Sequence, residues 1–392
     1  MESPTASITT SDRLPRSASV VIIGGGIVGL TAALTLSERG VQVVVLEKGS
    51  VAGEQSSRNQ GWIRKTSRAP ADVPLAAASD RLWAGLAERV GSDVGYRQAG
   101  ILFLAKSEAE MHVHEKWLQS VEQCDLDSRL LTLRDIDHLV PGGRGDWAGG
   151  IYTPSDGRAE PSLAAYAIAR AARAKGAIIL ENCAVRSLVL SGSRVTGAVT
   201  EHGEIRSDAV LLAGGLWSRR FLGNLGVDLP TLPLTVSVAR TAPMEGPTEI
   251  AVGGPDFSFR KHADGGFIVT QRSAVKAPIT LDHLLIGQRY ISSLKTQGRY
   301  LRVSIGREFF QDLALPRRWK PDARSPFERV RTKDPAIDQR AIGEAFAALS
   351  AAWPVFEQAE IVQTWAGTVD VTPDSTPVID HVSSIPGLTV CT

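Results

Sequence analysis

"VVIIGGGIVGLTAALTLSERGVQVVVLE", residues 20–47, is the segment from which the rest of the chain can be read. Val20 to Ile23 is a β-branched apolar run of the buried-strand type. Gly24, Gly26 and Gly29 follow at G-x-G-x-x-G spacing, and a helical pattern then runs from Ile27 to Arg39 with Leu30, Ala33, Leu34 and Ser37 on one face. Gly40 ends it, and a second strand, "VQVVVLE", closes on Glu47. Each part has a task in a dinucleotide site. The first glycine makes the tight turn, the second lets backbone approach a pyrophosphate, and the third lets helix and strand pack closely. Free N–H groups and the dipole at the helix N-terminus favour the pyrophosphate charge. Glu47, eighteen residues past Gly29, is placed to accept hydrogen bonds from the adenosine ribose. Its charge opposes a 2′-phosphate and so speaks against NADP, while the motif leaves NAD and FAD both open.

Around this segment, composition sets the class. The chain of 392 residues is long enough for about two domains. Its 43% hydrophobic and 22% charged residues are those of a globular protein. A net charge of +1, with the basic residues scattered, makes no electrostatic case for nucleic acid or an anionic membrane as partner. Three cysteines, Cys124, Cys183 and Cys391, form no CxxC pair, which argues against a disulfide framework and against a metal site and suits a reducing compartment. His112 and His114 sit two apart in a helical pattern and read as solvated surface residues. The first residues are Ser/Thr-rich without an apolar core, and no apolar run reaches the roughly 18 residues of a membrane span, so a cytoplasmic location is expected.

The loop "SSRNQGWIRK", Ser56 to Lys65, crowds hydrogen-bond donors around a Trp and needs a target for them. Further on stand "ENCAVRSLVLSGSRVTGAVTEHGEIRSDAVLLAGGLWS", residues 181–218, "ALPRRWKPDARSPFERVR", residues 314–331, and "TWAGTVDVTPDSTPVID", Thr364 to Asp380. Together with the opening motif these stretches resemble the D-amino-acid-oxidase-like flavoenzymes, the group of glycine oxidase, sarcosine oxidase and D-amino acid dehydrogenase. The resemblance runs from about residue 18 to the C-terminus and is weakest between about 85 and 150.

The resemblance implies an α/β fold: a Rossmann-like FAD-binding domain of glutathione-reductase type plus an α+β substrate domain built on an antiparallel sheet. The FAD-binding domain is expected to be discontinuous, over 17–84, 151–226 and 354–392, behind a loose tail of residues 1–16. The substrate domain takes 85–150 and 227–353. In it "GILFLA", "PLTVSVAR", "FSFRK" and "GGFIV" alternate like sheet strands, and a long helix is expected over about Leu281 to Lys295. Ligand pockets favour such junctions, so the substrate is expected between the sheet and the flavin.

For the cofactor, the resemblance points to Gly24, Gly26, Ile27, Val28 and Gly29, with Glu47 and Lys48 after the second strand. It adds the loop Ser56, Ser57, Arg58, Asn59, Gln60 and Gly61, then Val185 at the adenine end and the turn Ala213, Gly214 and Trp217. Trp62 could pack on the flavin or fill core. The implied reaction oxidises a C–N bond: hydride passes to the flavin, and the imine hydrolyses to a carbonyl compound. The substrate is an amine or amino acid, namely a D-amino acid, an N-alkyl amino acid or an opine. Arg58 and Arg64 are expected to stabilise charge on reduced flavin or to anchor a substrate carboxylate. Many relatives carry a G-x-R-P arginine for that carboxylate, but Val369 stands there, so Arg260 and Arg302 are further candidates. Asp370 beside it could favour a cationic substrate.

No cysteine stands near Trp365 and Ala366, where some sarcosine oxidases attach their flavin, so noncovalent FAD is expected. Ile268 falls where those enzymes carry an oxygen-activating lysine, which favours a dehydrogenase; the acceptor is O2, or a quinone or redox partner. The family continues past "IPGLTVCT" with a glycine-rich turn and a helix, whereas this sequence stops at Thr392. The alternative reading is therefore a noncatalytic or partner-dependent flavoprotein subunit, completed by a partner chain or a homo-oligomer.

Overall fold

The computed structural model describes residues 10–392. Residues 1–9 of the expected loose tail lie outside the described residues. Residues 10–16 are tied down: the Ser11 N–H donates to Ile179 O at 2.9 Å, and the Arg206 N–H donates to Arg16 O at 3.1 Å.

The opening segment forms the heart of a six-stranded sheet. Its order is Ile379–His381, Leu388–Cys391, Val210–Leu212, Val20–Ile23, Val43–Leu46, Ile178–Leu180, parallel except at the first pair. Both faces of the inner strands Val210–Leu212, Val20–Ile23 and Val43–Leu46 are largely buried, which is why they read as unbroken apolar runs, while the edge strand Ile379–His381 is exposed. Val21, Ile23, Val44 and Leu46 pack on one side with Val185, Leu212 and Trp217. Ile22, Val43 and Val45 pack on the other, against Leu30, Ala33 and Leu34 of the helix Ile27–Glu38 and against the Ala-rich helix Pro161–Ala174. Fully burying one such side chain contributes roughly 1.5–3 kcal/mol.

The second large sheet has ten strands, ordered Leu301–Ser304, Val275–Pro278, Leu232–Thr241, Phe267–Gln271, Phe257–Lys261, Ala251–Gly253, Ile101–Ala105, Gly149–Thr153, Arg129–Leu131, with Ile361–Val371 also paired to Leu232–Thr241. All four expected strands are present in it. Behind it lies an aromatic core of Phe257, Phe259, Phe267, Trp353 and Phe356, with Phe267 and Phe356 at 5.0 Å.

Three expectations change. The segment 354–392 is shared: Ile361–Val371 belongs to the ten-stranded sheet and only the later strands to the parallel one. The helix expected over Leu281 to Lys295 is broken into Leu281–Ile286, a tight turn Gly287–Tyr290, and Ile291–Gln297. Gly287 is a weak helix former, and the Tyr290 hydroxyl is drawn inward to Val371 O at 2.6 Å. His112 is solvated as expected, but the His114 ring turns inward, leaving Nε2 buried without a partner, and burial lowers its pKa.

Candidate functional site

One cavity of about 580 Å³ runs from the glycine turn to the face of the antiparallel sheet. At its start the chain makes a turn that only glycine permits. Gly24 has φ +112°, and a Cβ there would lie 2.3 Å from Ala213 O; a Cβ on Gly29 would lie 2.1 Å from Gly24 O. Gly29 therefore acts behind the wall, by close packing, while Gly24, Gly26, Ile27 and Val28 line the cavity. The helix N-terminus opens into it, and the Ile27 N–H donates to Ser56 Oγ at 2.9 Å.

Glu47 lines the cavity at the end of its strand. One oxygen accepts from the Gly25 N–H at 2.7 Å and the other from the Gly49 N–H at 2.8 Å. Burial raises its pKa, against the lowering effect of these two bonds. Lys48 donates to Arg331 O at 2.6 Å and to Glu54 at 2.9 Å, and lies 4.5 Å from the centre of the Trp217 ring. Trp217 in turn donates to Glu54 Oε2 at 2.9 Å. Glu54 thus joins the loop after the second strand to the turn Ala213–Trp217, all of which faces the cavity together with Gly214 and Val185. Composition gave no hint of Glu54, Gln55 or Arg331, which reach the wall from two parts of the chain.

The donor-rich loop is a one-turn helix, Gln55–Arg58, and the residues after it. Ser56, Arg58, Asn59 and Gln60 line the cavity; Ser57 and Gly61 do not. The Ser57 hydroxyl is turned back to Glu54 O at 3.3 Å. Gly61 is a turn packed on Ala159. The Arg58 guanidinium donates to Gly53 O at 2.9 Å and pairs with Asp334. Gln60 Oε1 accepts from Ser258 at 2.9 Å and Thr270 at 3.2 Å, which fixes the loop to the far sheet. At that end Val236, Val238, Thr270 and Gln271 form the floor, and Asp370, accepting from Gln55 Nε2 at 2.7 Å, forms a side.

The expected substrate residues divide. Asp370 and Arg58 are on the wall. Arg260 is not: it is buried in an ion pair with Glu160, because its strand directs it away from the cavity. Arg302 pairs with Glu344 on a distant helix. Ile268 is buried in the sheet, two residues before the lining Thr270. Trp62 fills core, its ring 5.4 Å from Phe103.

Arg64 does not line the cavity, and neither does a companion that sequence reasoning missed, Arg272, next to the lining Gln271. Their guanidinium carbons lie 5.7 and 4.6 Å from the centre of the same Phe103 ring. Among the described residues neither pairs with a carboxylate. Burial pushes Arg64 down to about 9, helped by the nearby charges of Arg68 and Arg272, and burial pushes Arg272 down to about 10. Two desolvated cations without a paired carboxylate favour an anion nearby, although the Asp156 charge partly offsets the burial of Arg64. The segment after Arg64 is held by Asp156, which accepts from the Lys65 N–H at 2.8 Å and the Thr66 N–H at 3.2 Å.

The residues present fit a dinucleotide. The glycine turn and helix N-terminus suit a pyrophosphate, Glu47 a ribose, and the cavity continues far enough for a second ring system at the sheet. The family described as FAD dependent oxidoreductase matches residues 19–392. Among solved structures, the L-amino acid deaminase of Proteus myxofaciens, in complex with anthranilate, has a TM-score of 0.94 and 34% identity, covering 98% of this chain and 88% of that one. Sarcosine oxidase subunit beta of an Arthrobacter species is 26% identical over 93% of this chain and 79% of its own length. Mitochondrial sarcosine dehydrogenase of Mus musculus is 28% identical over 60% of this chain, but the match spans only 27% of that longer protein.

Proposed function

Because the chain belongs to the family of FAD-dependent oxidoreductases that act on amino acids and N-methyl amino acids, we propose that it oxidises the C–N bond of an α-amino acid, with FAD held noncovalently in the cavity. The observation that carries this reading is the continuity of that cavity, from the Gly24–Gly26 turn to the floor at Val238, Thr270 and Gln271. FAD bound there supplies the acceptor for a hydride from the carbon that bears the amine.

The protein's own groups bind and orient. Glu47 takes the ribose, and the N-terminus of Ile27–Glu38 takes the pyrophosphate. Gln60, pinned by Ser258 and Thr270, holds the loop edge against the ring end. Arg64 and Arg272, off the wall but with Arg272 next to the lining Gln271, draw the substrate carboxylate by their charge, while Asp370 on the wall selects among side chains. The likeness to an L-amino acid deaminase at 34% identity favours an L-α-amino acid over a D-amino acid or an opine. Lys48 is the lysine among the lining residues, and its amine is tied to Glu54. That supports a quinone or redox partner rather than O2 as acceptor. The unpaired cysteines are consistent with a cytoplasmic location.

The test is the visible spectrum of the purified chain, followed by anaerobic addition of L-, D- and N-methyl amino acids. A two-band flavin spectrum bleached by an L-amino acid supports the reading. A spectrum that none of the three bleaches overturns it in favour of a noncatalytic subunit.

A further inference from the structure

Gln60 is gripped at both its side chain and its backbone. Its Oε1 accepts from the Ser258 hydroxyl at 2.9 Å and from that of Thr270 at 3.2 Å, and the two hydroxyls lie 2.6 Å apart. Ser258 and Thr270 stand opposite each other in register on the strands Phe257–Lys261 and Phe267–Gln271. Two residues on from Ser258, Arg260 shares a face of the same strand and donates from Nε to Gln60 O. The next residue of the loop, Gly61, accepts the Ala159 N–H at 2.8 Å. Ser258 and Arg260 do not line the cavity, and both act on the loop residue that does.

These grips occupy the acceptors of Gln60 and leave its donor. The Nε2 hydrogens make no bond among the described residues, while Gln60 lines the cavity with Thr270 and Gln271. Ser258, Thr270 and Arg260 are all buried, so water does not compete for the two Gln60 oxygens. An amide held by its oxygen presents its two N–H donors in a fixed direction. The charged partner has a reason to be there. A buried ion pair adds little stability over an apolar pair of the same volume. What the planar guanidinium adds is a third fixed direction: two nitrogens face Glu160 and Nε faces the Gln60 carbonyl. Hydride acceptance brings negative charge to a flavin ring, and a donor already in place stabilises that charge without reorganising.

We propose that Ser258, Thr270 and Arg260 fix Gln60 as an oriented hydrogen-bond donor to the reduced flavin ring, and so raise the reduction potential of the bound cofactor. The inference rests on the reading of the cavity as a flavin site. The test is the potential of bound FAD, by anaerobic equilibration with reference dyes, beside the rate of flavin reduction at saturating amino acid. Gln60→Leu and Ser258→Ala/Thr270→Val each move the potential to a more negative value and slow reduction about ten-fold, with KM within about two-fold of wild type. The hydroxyl variant adds nothing further in a Gln60→Leu chain. Thr270→Ser in place of Thr270→Val, which returns one hydroxyl, recovers most of the shift. Arg260→Lys keeps a charge opposite Glu160 but cannot serve the carboxylate and the Gln60 carbonyl together, and moves the potential in the same direction. Gln60→Leu, on the cavity wall, decides the question if the hydroxyl variant does not fold. The inference is overturned if these variants keep the wild-type potential, or if their effects add in full. A wild-type chain that binds no FAD overturns the flavin reading and this inference with it. One that binds FAD and is bleached, with the potentials of the variants unmoved, overturns this inference alone.

Discussion

Arg260 and Glu160 form a two-point ion pair in the interior, Nη1 to Oε1 at 2.7 Å and Nη2 to Oε2 at 2.8 Å. The same carboxylate accepts the Ala263 N–H at 2.9 Å. A guanidinium so engaged is not available to a substrate. Arg260→Met leaves the buried Glu160 with only His262 at 3.4 Å and the Ala263 N–H, and is expected to cost about 3 kcal/mol in urea unfolding. Arg260→Met/Glu160→Gln recovers most of that loss. A folded, fully stable Arg260→Met with impaired substrate binding would contradict the assignment.

Arg64 and Arg272 carry the opposite expectation. Each has a folded pKa, about 9 and about 10, below the ordinary value of an arginine, so folding disfavours the charged form. That penalty is full below the folded value and fades only as pH rises above about 9. Arg272→Leu therefore leaves ligand-free stability at pH 7 unchanged or higher. Its KM for an amino acid rises roughly ten-fold, in keeping with loss of a nearby cation that attracts the carboxylate. Steady-state kinetics on the matching amine without a carboxylate should show little change.

Glu328 sets an acid limit. Burial alone would raise its pKa, but Arg186, the Ser325 N–H and the Ser325 hydroxyl together hold it down to about 2. A carboxylate lowered from 4.5 contributes stability that is present above about 4.5 and lost as pH falls towards about 2. The contribution is on the order of 3 kcal/mol. Glu328→Gln should unfold more easily at pH 7 and show a flatter acid branch than wild type, measured by denaturant midpoints across pH 7 to 3.

The state of the cofactor can be read directly. Cys183 is fully buried and its pKa is raised by burial to about 11, and burial also raises that of Cys391 on the cavity wall. Neither thiol is poised as a nucleophile. Acid precipitation is expected to leave the flavin in the supernatant and the pellet colourless. Yellow pellets would show a covalent bond, and Cys391→Ser would tell whether that residue forms it.

The parts of the fold visible in the sequence were those whose signals are local. Val20 to Glu47 announces itself because strand, glycine turn, helix and acid follow one another without interruption, and Leu30, Ala33, Leu34 and Ser37 are all buried as their spacing requires. The direction of Arg260 was not visible, since its partner lies a hundred residues away. Arg272 escaped for a related reason: a lone arginine after a strand has no pattern, and only the shared contact with Phe103 pairs it with Arg64. The break after Ile286 depends on Tyr290 reaching Val371, a tertiary bond that no helical period contains.

The strand Ile361–Val371 is zipped along Leu232–Thr241 within the ten-stranded sheet, and the chain goes on through Ile379–His381 to Leu388–Cys391 in the other sheet. The stretch that joins the two sheets is therefore anchored at one end by a full ladder of backbone bonds and at the other by pairing with Val210–Leu212. Asp370, on the cavity wall, belongs to the anchored strand, so its approach to Gln55 is fixed by the sheet and not by a free loop.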